Sequence, residues 1–332
     1  MPGRRFPVSD HCDGDRFFNP HARDDRTIGD LLKWWRTRTA VGWPESLPLT
    51  VRTSVPPSPP RDHVAATFIG HSTFLLQTSG LDAVTDPVWT SQAGPFGAFG
   101  PRRVRPPALP LDALPRVALV LISHNHYDHL QPQSVRDIAA RWEPLFVVPL
   151  GLAPLLARWG VRRTVEMDWW DEREVLPGVD VTCVPAQHFS ARGPHDRNRT
   201  LWAGYVLRQG GATIYFAGDT GYSPQFAEIG RRMPGIDLAL VPIGAYEPRW
   251  FMRPVHVNPE EAVRIHCDVG ARNSIAMHFG TFRLTDEGID EPVAALGRAC
   301  AAAALPDGAF RVPAFGETIT VSTGANIPIT DH

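Results

Sequence analysis

The chain has one lysine, Lys33, among 332 residues, so arginine carries nearly all of its positive charge. With 33 prolines, that bias reads as the composition of a GC-rich genome and says nothing of function. Formal net charge is only −2, which excludes the global basic field that points to nucleic acid. Cysteine is scarce too. Cys12, Cys183, Cys267 and Cys300 form no C-x-x-C pair and no tight framework, so reduced thiols in a cytosolic protein are the simplest reading. No run approaches the roughly 18 uncharged apolar residues that span a bilayer. The N-terminus, "MPGRRFPVSDHCDGDRFF", lacks the apolar core of a signal peptide. What is present is 43% hydrophobic residues, enough for a sizeable core in one large domain or two small ones.

Residues 1–60 read as an N-terminal arm and linker. Within them "DDRTIGDLLKWWRTR" is the one helical stretch, with Ile28, Leu31, Leu32 and Trp35 at helical spacing among Lys33, Arg36 and Arg38. A short helix docked on the body is the expectation, and an interfacial helix touching lipid is the alternative. "SVPPSPPRD" then reads as an extended linker. Residues 61–332 read as one α/β body. "VAATFIGHSTFLLQTSGLDAVTDP" predicts strand, turn, strand, and "VALVLIS" a buried strand. Val135, Ile138, Ala139 and Trp142 predict a helix with Pro132 in its first turn. "LFVVP" predicts a strand and "LAPLLARWG" a helix ending at Gly160. "VDVTCVP", "WAGYVLR", "ATIYFAG", "LALVPIG" and "SIAMHFG" predict further strands. "NPEEAVRIHCDVG" predicts a helix capped by Asn258 with Pro259 at its first position.

The unusual polar residues gather at predicted strand ends. His124, His126, Asp128 and His129 follow "VALVLIS"; His188 follows "VTCVP"; Asp219 follows "TIYFAG"; His278 ends "SIAM". Ligands of layered α/β proteins bind where strand C-termini open into loops. Seven metal-capable side chains exceed the four that a tetrahedral zinc takes. They suit two metals about 3.5–4 Å apart. His124 and His126 lie two apart on extended backbone and point the same way, so they pair with His188 on one metal. His129 comes after the chain turns, so Asp128, His129 and His278 serve the other. Asp219 bridges with its two oxygens, and a hydroxide completes the bridge. A compact H-x-H-x-D-H run has no bland counterpart, because buried charged clusters need compensation.

Together, "SHNHYDH", the strand-end histidine, "GDTG" and "MHFGT" resemble the metallo-β-lactamase superfamily. "VPLGL", "MDWWDE", "GAYEPRWFM" and "HVNPEEAVRIHCDVG" are similar to a narrower family, the N-acyl-phosphatidylethanolamine-hydrolysing phospholipases D and their bacterial relatives. The resemblance runs over about residues 66–285. It implies a four-layer αβ/βα sandwich with a dinuclear zinc site at the edge of its two sheets. It also implies that Tyr127 and His256 contact a phospholipid substrate.

The chemistry expected is hydrolysis of a phosphodiester. Two Zn²⁺ lower the pKa of bound water to about 7. Asp128, a metal-side carboxylate with a free oxygen, would hold or take that water's proton. His256 would orient the phosphate or protonate the leaving oxygen. Trp169, Trp170, Trp250, Phe251 and Met252 are candidates for an apolar groove. Arg249, Arg253 and the arginines at 102, 103 and 105 are candidates for lipid phosphates. A lactonase or other acyl hydrolase, a small-molecule phosphodiesterase and a non-catalytic metal-bearing scaffold are the alternatives. The His/Asp donor set suits zinc and also iron or manganese. The cytoplasm is the expected location, with peripheral membrane contact and homodimerisation left open and nucleic acid not expected as a partner.

Overall fold

The run Val-Ala-Leu-Val-Leu-Ile at 117–122 shows how the layers arise. Successive side chains of a strand leave on opposite faces. Leu119 and Leu121 enter one buried cluster, and Val120 and Ile122 enter another. A strand apolar on both faces must lie between two layers. The computed structural model describes residues 5–22 and 26–324, and in it this strand is interior to a sheet.

The strands, in chain order, are β1 (His63–Gly70), β2 (Thr73–Thr78), β3 (Leu81–Thr85), β4 (Leu119–Leu121), β5 (Leu145–Pro149), β6 (Thr164–Met167), β7 (Glu172–Leu176), β8 (Val179–Val184), β9 (Gly204–Gln209), β10 (Ala212–Phe216), β11 (Leu238–Pro242), β12 (Asn273–Met277), β13 (Phe310–Arg311) and β14 (Thr318–Ser322). They form two seven-stranded sheets, ordered β14-β1-β2-β3-β4-β5-β6 and β13-β12-β11-β10-β9-β8-β7. In each, one half is antiparallel and the other parallel: β3 to β6 run parallel in the first, and β10 to β13 in the second. The two sheets share the larger core, where Phe68, Leu119 and Leu121 meet Val181, Tyr205 and Leu240.

Helices cover the outer faces. After α1 (Ile28–Thr37) come α2 (Pro132–Trp142) and α3 (Ala153–Arg158), which bury Val135, Ile138 and Leu156 against Phe146 and Val148 of β5. The predicted start of α2 holds, with Pro132 in its first turn and Glu143 in the left-handed region (φ 48°) closing it. The second sheet carries α4 (Gln225–Arg232), α6 (Pro259–Asp268), which packs on β11, and α7 (Glu291–Ala302), while the short α5 (Arg249–Met252) meets α1. α6 starts as the sequence predicts: the Asn258 side chain accepts from Glu261 N at 3.0 Å and the Glu261 carboxylate accepts from Asn258 N. This is the four-layer αβ/βα sandwich.

Two features of the N-terminal arm differ from expectation. Cys12 and Phe17 are buried in the same core as the sheets, so this stretch packs as part of the body. In α1, the residues at helical spacing are not the ones that dock: Leu31 and Leu32 are each 49% exposed and Trp35 is 71% exposed. Trp34 docks instead, stacked on Phe251 at 5.0 Å and donating through Nε1 to Asp286 at 2.7 Å. The side chain of Ile28 lies outside the described residues.

His11 ties the arm down. Its ring stacks on Trp169 at 4.3 Å and lies between Asp10 (2.6 Å) and Asp168 (2.8 Å). Burial disfavours the charged ring, yet the two carboxylates outweigh it and raise its pKa above 6.5. A folded-state pKa above the unfolded one stabilises fully below the unfolded value, and the gain is lost as pH rises through the folded value. His11→Gln should therefore lower the melting temperature more at pH 6 than at pH 9. Equal losses at the two pH values would show that the charge of the ring plays no part.

Candidate metal centre

Strand C-termini of both sheets, from the parallel and the antiparallel halves, meet at one edge and carry the chemistry. β4 runs into the loop holding His124, His126, Asp128 and His129; the stretches after β8 and β10 bring His188 and Asp219; His278 follows β12 directly. Two more ends obey the same rule and are missing from the sequence expectation. His71 follows β1 and Asp86 follows β3. His71, Asp86 and His278 have φ of 61°, 30° and 60°, a strained region for such residues that turns each side chain off the end of its strand. Gly218 allows the end of β10 to close in: at φ 61°, a Cβ there would lie 2.6 Å from Ser123 Cβ.

The seven predicted residues converge. His126 Nδ1 is 2.8 Å from His124 Nε2 and 3.2 Å from His188 Nε2. Asp219 Oδ2 is 3.1 Å from His129 Nε2, 3.0 Å from His278 Nε2 and 3.8 Å from His188 Nε2, so it reaches both groups. Asp128 Oδ2 is 3.5 Å from the Nε2 atoms of His129 and His278. His71 joins this second group, its Nε2 3.0 Å from the same Asp128 oxygen.

Outward hydrogen bonds aim the rings inward. Asp86 is fully buried and takes His129 Nδ1–H at 2.6 Å. It also accepts from Ser123 N at 2.7 Å and Ser123 Oγ at 2.6 Å, and that hydroxyl in turn lies 2.9 Å from His124 Nδ1. One carboxylate thus orients a ring in each group. His188 Nδ1 donates to Val255 O at 2.9 Å. In all three rings Nε2 is left to face the centre.

The electrostatics follow from burial opposed by charge. Burial alone would raise the carboxyls of Asp128 and Asp219, yet His129 and its neighbours hold both well below the usual range. Burial would lower His129 and His278; the surrounding carboxylates raise the first well above its ordinary value and the second to about 9. Where burial, reinforced by neighbouring histidines, outweighs the nearby carboxylates, it prevails: His124 and His188 fall well below 6.5, His126 to about 4, and His71 and His256 to about 3. His129 Nε2, His278 Nε2, Asp219 Oδ1 and His256 Nδ1 are buried without a well-aligned hydrogen bond. Converging, buried nitrogen and oxygen donors are what a divalent cation requires, so these residues fit a metal pair.

The two expected substrate contacts are placed differently. His256 lies on a cavity of about 510 Å³ that reaches His126, Asp128 and Asp219. Its carbonyl accepts from the Arg249 guanidinium at 2.8 Å, which is paired in turn with Glu261 at 2.7 Å, so Arg249 holds the site's backbone. Tyr127 does not line that cavity. Its hydroxyl donates to Arg192 O at 3.1 Å, and the Arg192 guanidinium sits 3.9 Å over its ring. Of the expected groove residues, Phe251 and Met252 line the cavity, whereas Trp169 is buried and hydrogen-bonded to Trp202 O. Trp170 lies under Arg232. Arg103 is half-buried, donating to Val88 O at 2.6 Å, and Arg105 donates to Gly280 O at 2.5 Å, so both brace loops.

Comparison with known proteins matches this arrangement. The profile of the Beta-lactamase superfamily domain matches residues 82–279. The chain belongs to the metallo-β-lactamase superfamily. Within it, the chain is 44% identical over 235 residues to an uncharacterised protein of Mycobacterium tuberculosis, covering 69% of this chain and 62% of that one. It is 40% identical over 231 residues to N-acyl-phosphatidylethanolamine-hydrolyzing phospholipase D 1 of Caenorhabditis elegans, covering 65% of this chain and 64% of that one. The match therefore spans somewhat less than two thirds of those relatives' own length. A metallo hydrolase of the archaeon Ignicoccus hospitalis shares the superfamily fold, with a TM-score of 0.57 at 22% identity over 78% of this chain and 98% of that one.

Proposed function

We propose that this superfamily hydrolase is a two-metal phosphodiesterase of phospholipase D type, acting on N-acyl glycerophospholipid-like substrates with zinc as the first-choice metal. The cavity carries the reading. Leu31, Trp34, Phe251, Met252, Val255 and Leu284 wall it with apolar surface, and its floor is His126, Asp128, Asp219 and His256. Such a shape accommodates an apolar chain whose polar, anionic end meets the cluster. The C. elegans relative, named for hydrolysis of a phospholipid, supports the same substrate class.

His124, His126 and His188 would hold one cation; Asp128, His129 and His278 the other; Asp219 would serve both. Bound there, two divalent cations supply Lewis acidity, bringing the pKa of water to about 7 and offsetting charge on phosphate oxygens. Asp128 takes the proton of the attacking water. The new P–O bond forms as the bond to the departing alkoxide breaks, and that proton passes to the alkoxide. His256 is neutral at pH 7, because burial lowers it to about 3 and nearby cations push the same way. It therefore orients a phosphate oxygen as a neutral donor and is not the acid. The reading is tested by product analysis on N-acyl and ordinary glycerophospholipids, bis(p-nitrophenyl) phosphate and a lactone panel. Turnover of lactones alone would make the protein an acyl hydrolase. His256→Ala should retain two metals per chain and lose about 10²-fold in kcat/KM, the scale of removing one positioned hydrogen-bond donor; wild-type kinetics would remove its role.

Around the mouth, α1 exposes Leu32 and Trp35, and Lys33 sits 4.7 Å over the half-exposed Trp250. Apolar side chains with a cation beside them suit an anionic bilayer surface. Among the described residues no helix is long and apolar enough to cross a membrane. Trp35→Glu should weaken sedimentation with phosphatidylglycerol vesicles about tenfold while leaving hydrolysis of a soluble diester unchanged. Unaltered vesicle binding would take α1 out of the membrane contact.

A further inference from the structure

We infer that Asn19, in the N-terminal arm, is a positioning residue for His188. Past Val184 the β8–β9 ladder has ended, so the main chain at residue 188 has no strand partner. Asn19 takes that place. Its Nδ2 donates to His188 O at 2.8 Å, and its Oδ1 accepts from His188 N at 3.2 Å. One amide thus satisfies both backbone groups of a residue whose side chain is fully buried, where unpaired groups are costly. Asn19 Oδ1 also accepts from Trp202 Nε1 at 3.1 Å, which fixes the plane of the amide.

Only Asn or Gln sets a neutral NH₂ donor and an oxygen acceptor side by side on one planar end group, and the shorter Asn leaves fewer rotamers to freeze. The arm is pinned just upstream: Phe17 is buried and its N donates to Asn198 O at 2.8 Å. With the backbone held by Asn19 and Nδ1 by Val255 O, the His188 ring has one orientation, Nε2 towards His126. A segment that no sequence motif connects to the centre thereby sets the geometry of its first group. Partners behind a metal ligand typically contribute 10–100-fold in affinity or activity.

This rests on His188 holding a metal, so wild type is measured first. Full-length protein is stripped and titrated with Zn²⁺ against a chromophoric chelator, and the Co²⁺ form is followed by visible absorption. Wild type should bind two metals per chain; no binding would end the metal reading itself. Asn19→Ala should retain the wild-type fold by circular dichroism, lose about 10–100-fold in affinity at one of the two sites, and show an altered Co²⁺ spectrum. His11→Gln loosens the arm without touching His188 and should bind both metals within about threefold of wild type. Wild-type affinities and spectrum in Asn19→Ala would overturn the inference. So would equal metal loss in His11→Gln, which would assign the effect to arm docking. Asn19→Asp retains the acceptor for His188 N–H but sets a carboxylate against His188 O, so it too should weaken one site. Failure of both Asn19 variants to fold while His11→Gln folds would make Asn19 a folding residue and also overturn the inference.

Discussion

Asp219→Asn should abolish the two-metal centre and lower turnover by about three orders of magnitude, the scale of losing a preorganised electrostatic contact at a reacting centre. The substitution is nearly isosteric, so packing is preserved. What changes is charge and donor number. Asp219 Oδ2 approaches the Nε2 atoms of His278, His129 and His188 at 3.0, 3.1 and 3.8 Å, which places one carboxylate between both groups. An amide offers one oxygen and an NH₂ that cannot ligate. It also removes the negative charge that would offset two cations at the floor of the cavity, where Asp219 itself is buried. Metal content should fall from two per chain to one or none while circular dichroism is retained. Near-wild-type turnover with two metals bound would refute the bridging role.

Removal of metal should have the second large effect. Chelation should silence hydrolysis, and reloading should restore it. Stability should fall with it, because a cation bound only by the native state adds RT ln(1 + [L]/Kd), about 4 kcal/mol at a thousandfold excess over Kd. For a chain of this size that corresponds to a drop of roughly 5–10 °C in Tm. The physical source is visible in the site: His129 Nε2, His278 Nε2 and Asp219 Oδ1 are buried without well-aligned hydrogen bonds. A chelated protein with unchanged melting temperature and activity would show that the cluster is held together without metal.

The centre was largely legible because its chemistry is concentrated. His124, His126, Asp128 and His129 crowd one loop, and His188, Asp219 and His278 each end a recognisable apolar strand. His71 and Asp86 escaped notice although they follow strands in the same way. His71 hides because "FIGHSTFLL" reads as one continuous strand, whereas the chain breaks there between β1 and β2. Arg103 and Arg105 misled for the opposite reason. A Gly/Pro-rich loop with three arginines reads as a set of cations free to meet lipid phosphates, yet carbonyls of Val88 and Gly280 and the rings of Phe282 and Phe315 receive two of them. Helical spacing on α1 picked out an apolar stripe but not the docking residue. That is Trp34, whose partners Phe251 and Asp286 lie more than 200 residues away.

The sequence by itself determined the apolar runs of the main strands, the start of α2 at Pro132, the capping of α6 by Asn258, and the placing of seven metal-capable side chains after strands, since these depend on residues close together in the chain. Tertiary structure alone decided which strand ends share an edge, that Asp86 steadies rings in both groups, that Tyr127 spends its hydroxyl on Arg192 O, and that Asn19 reaches His188 across 169 positions. Those facts depend on which backbone groups are left unpaired once the two sheets close, and no local pattern encodes them.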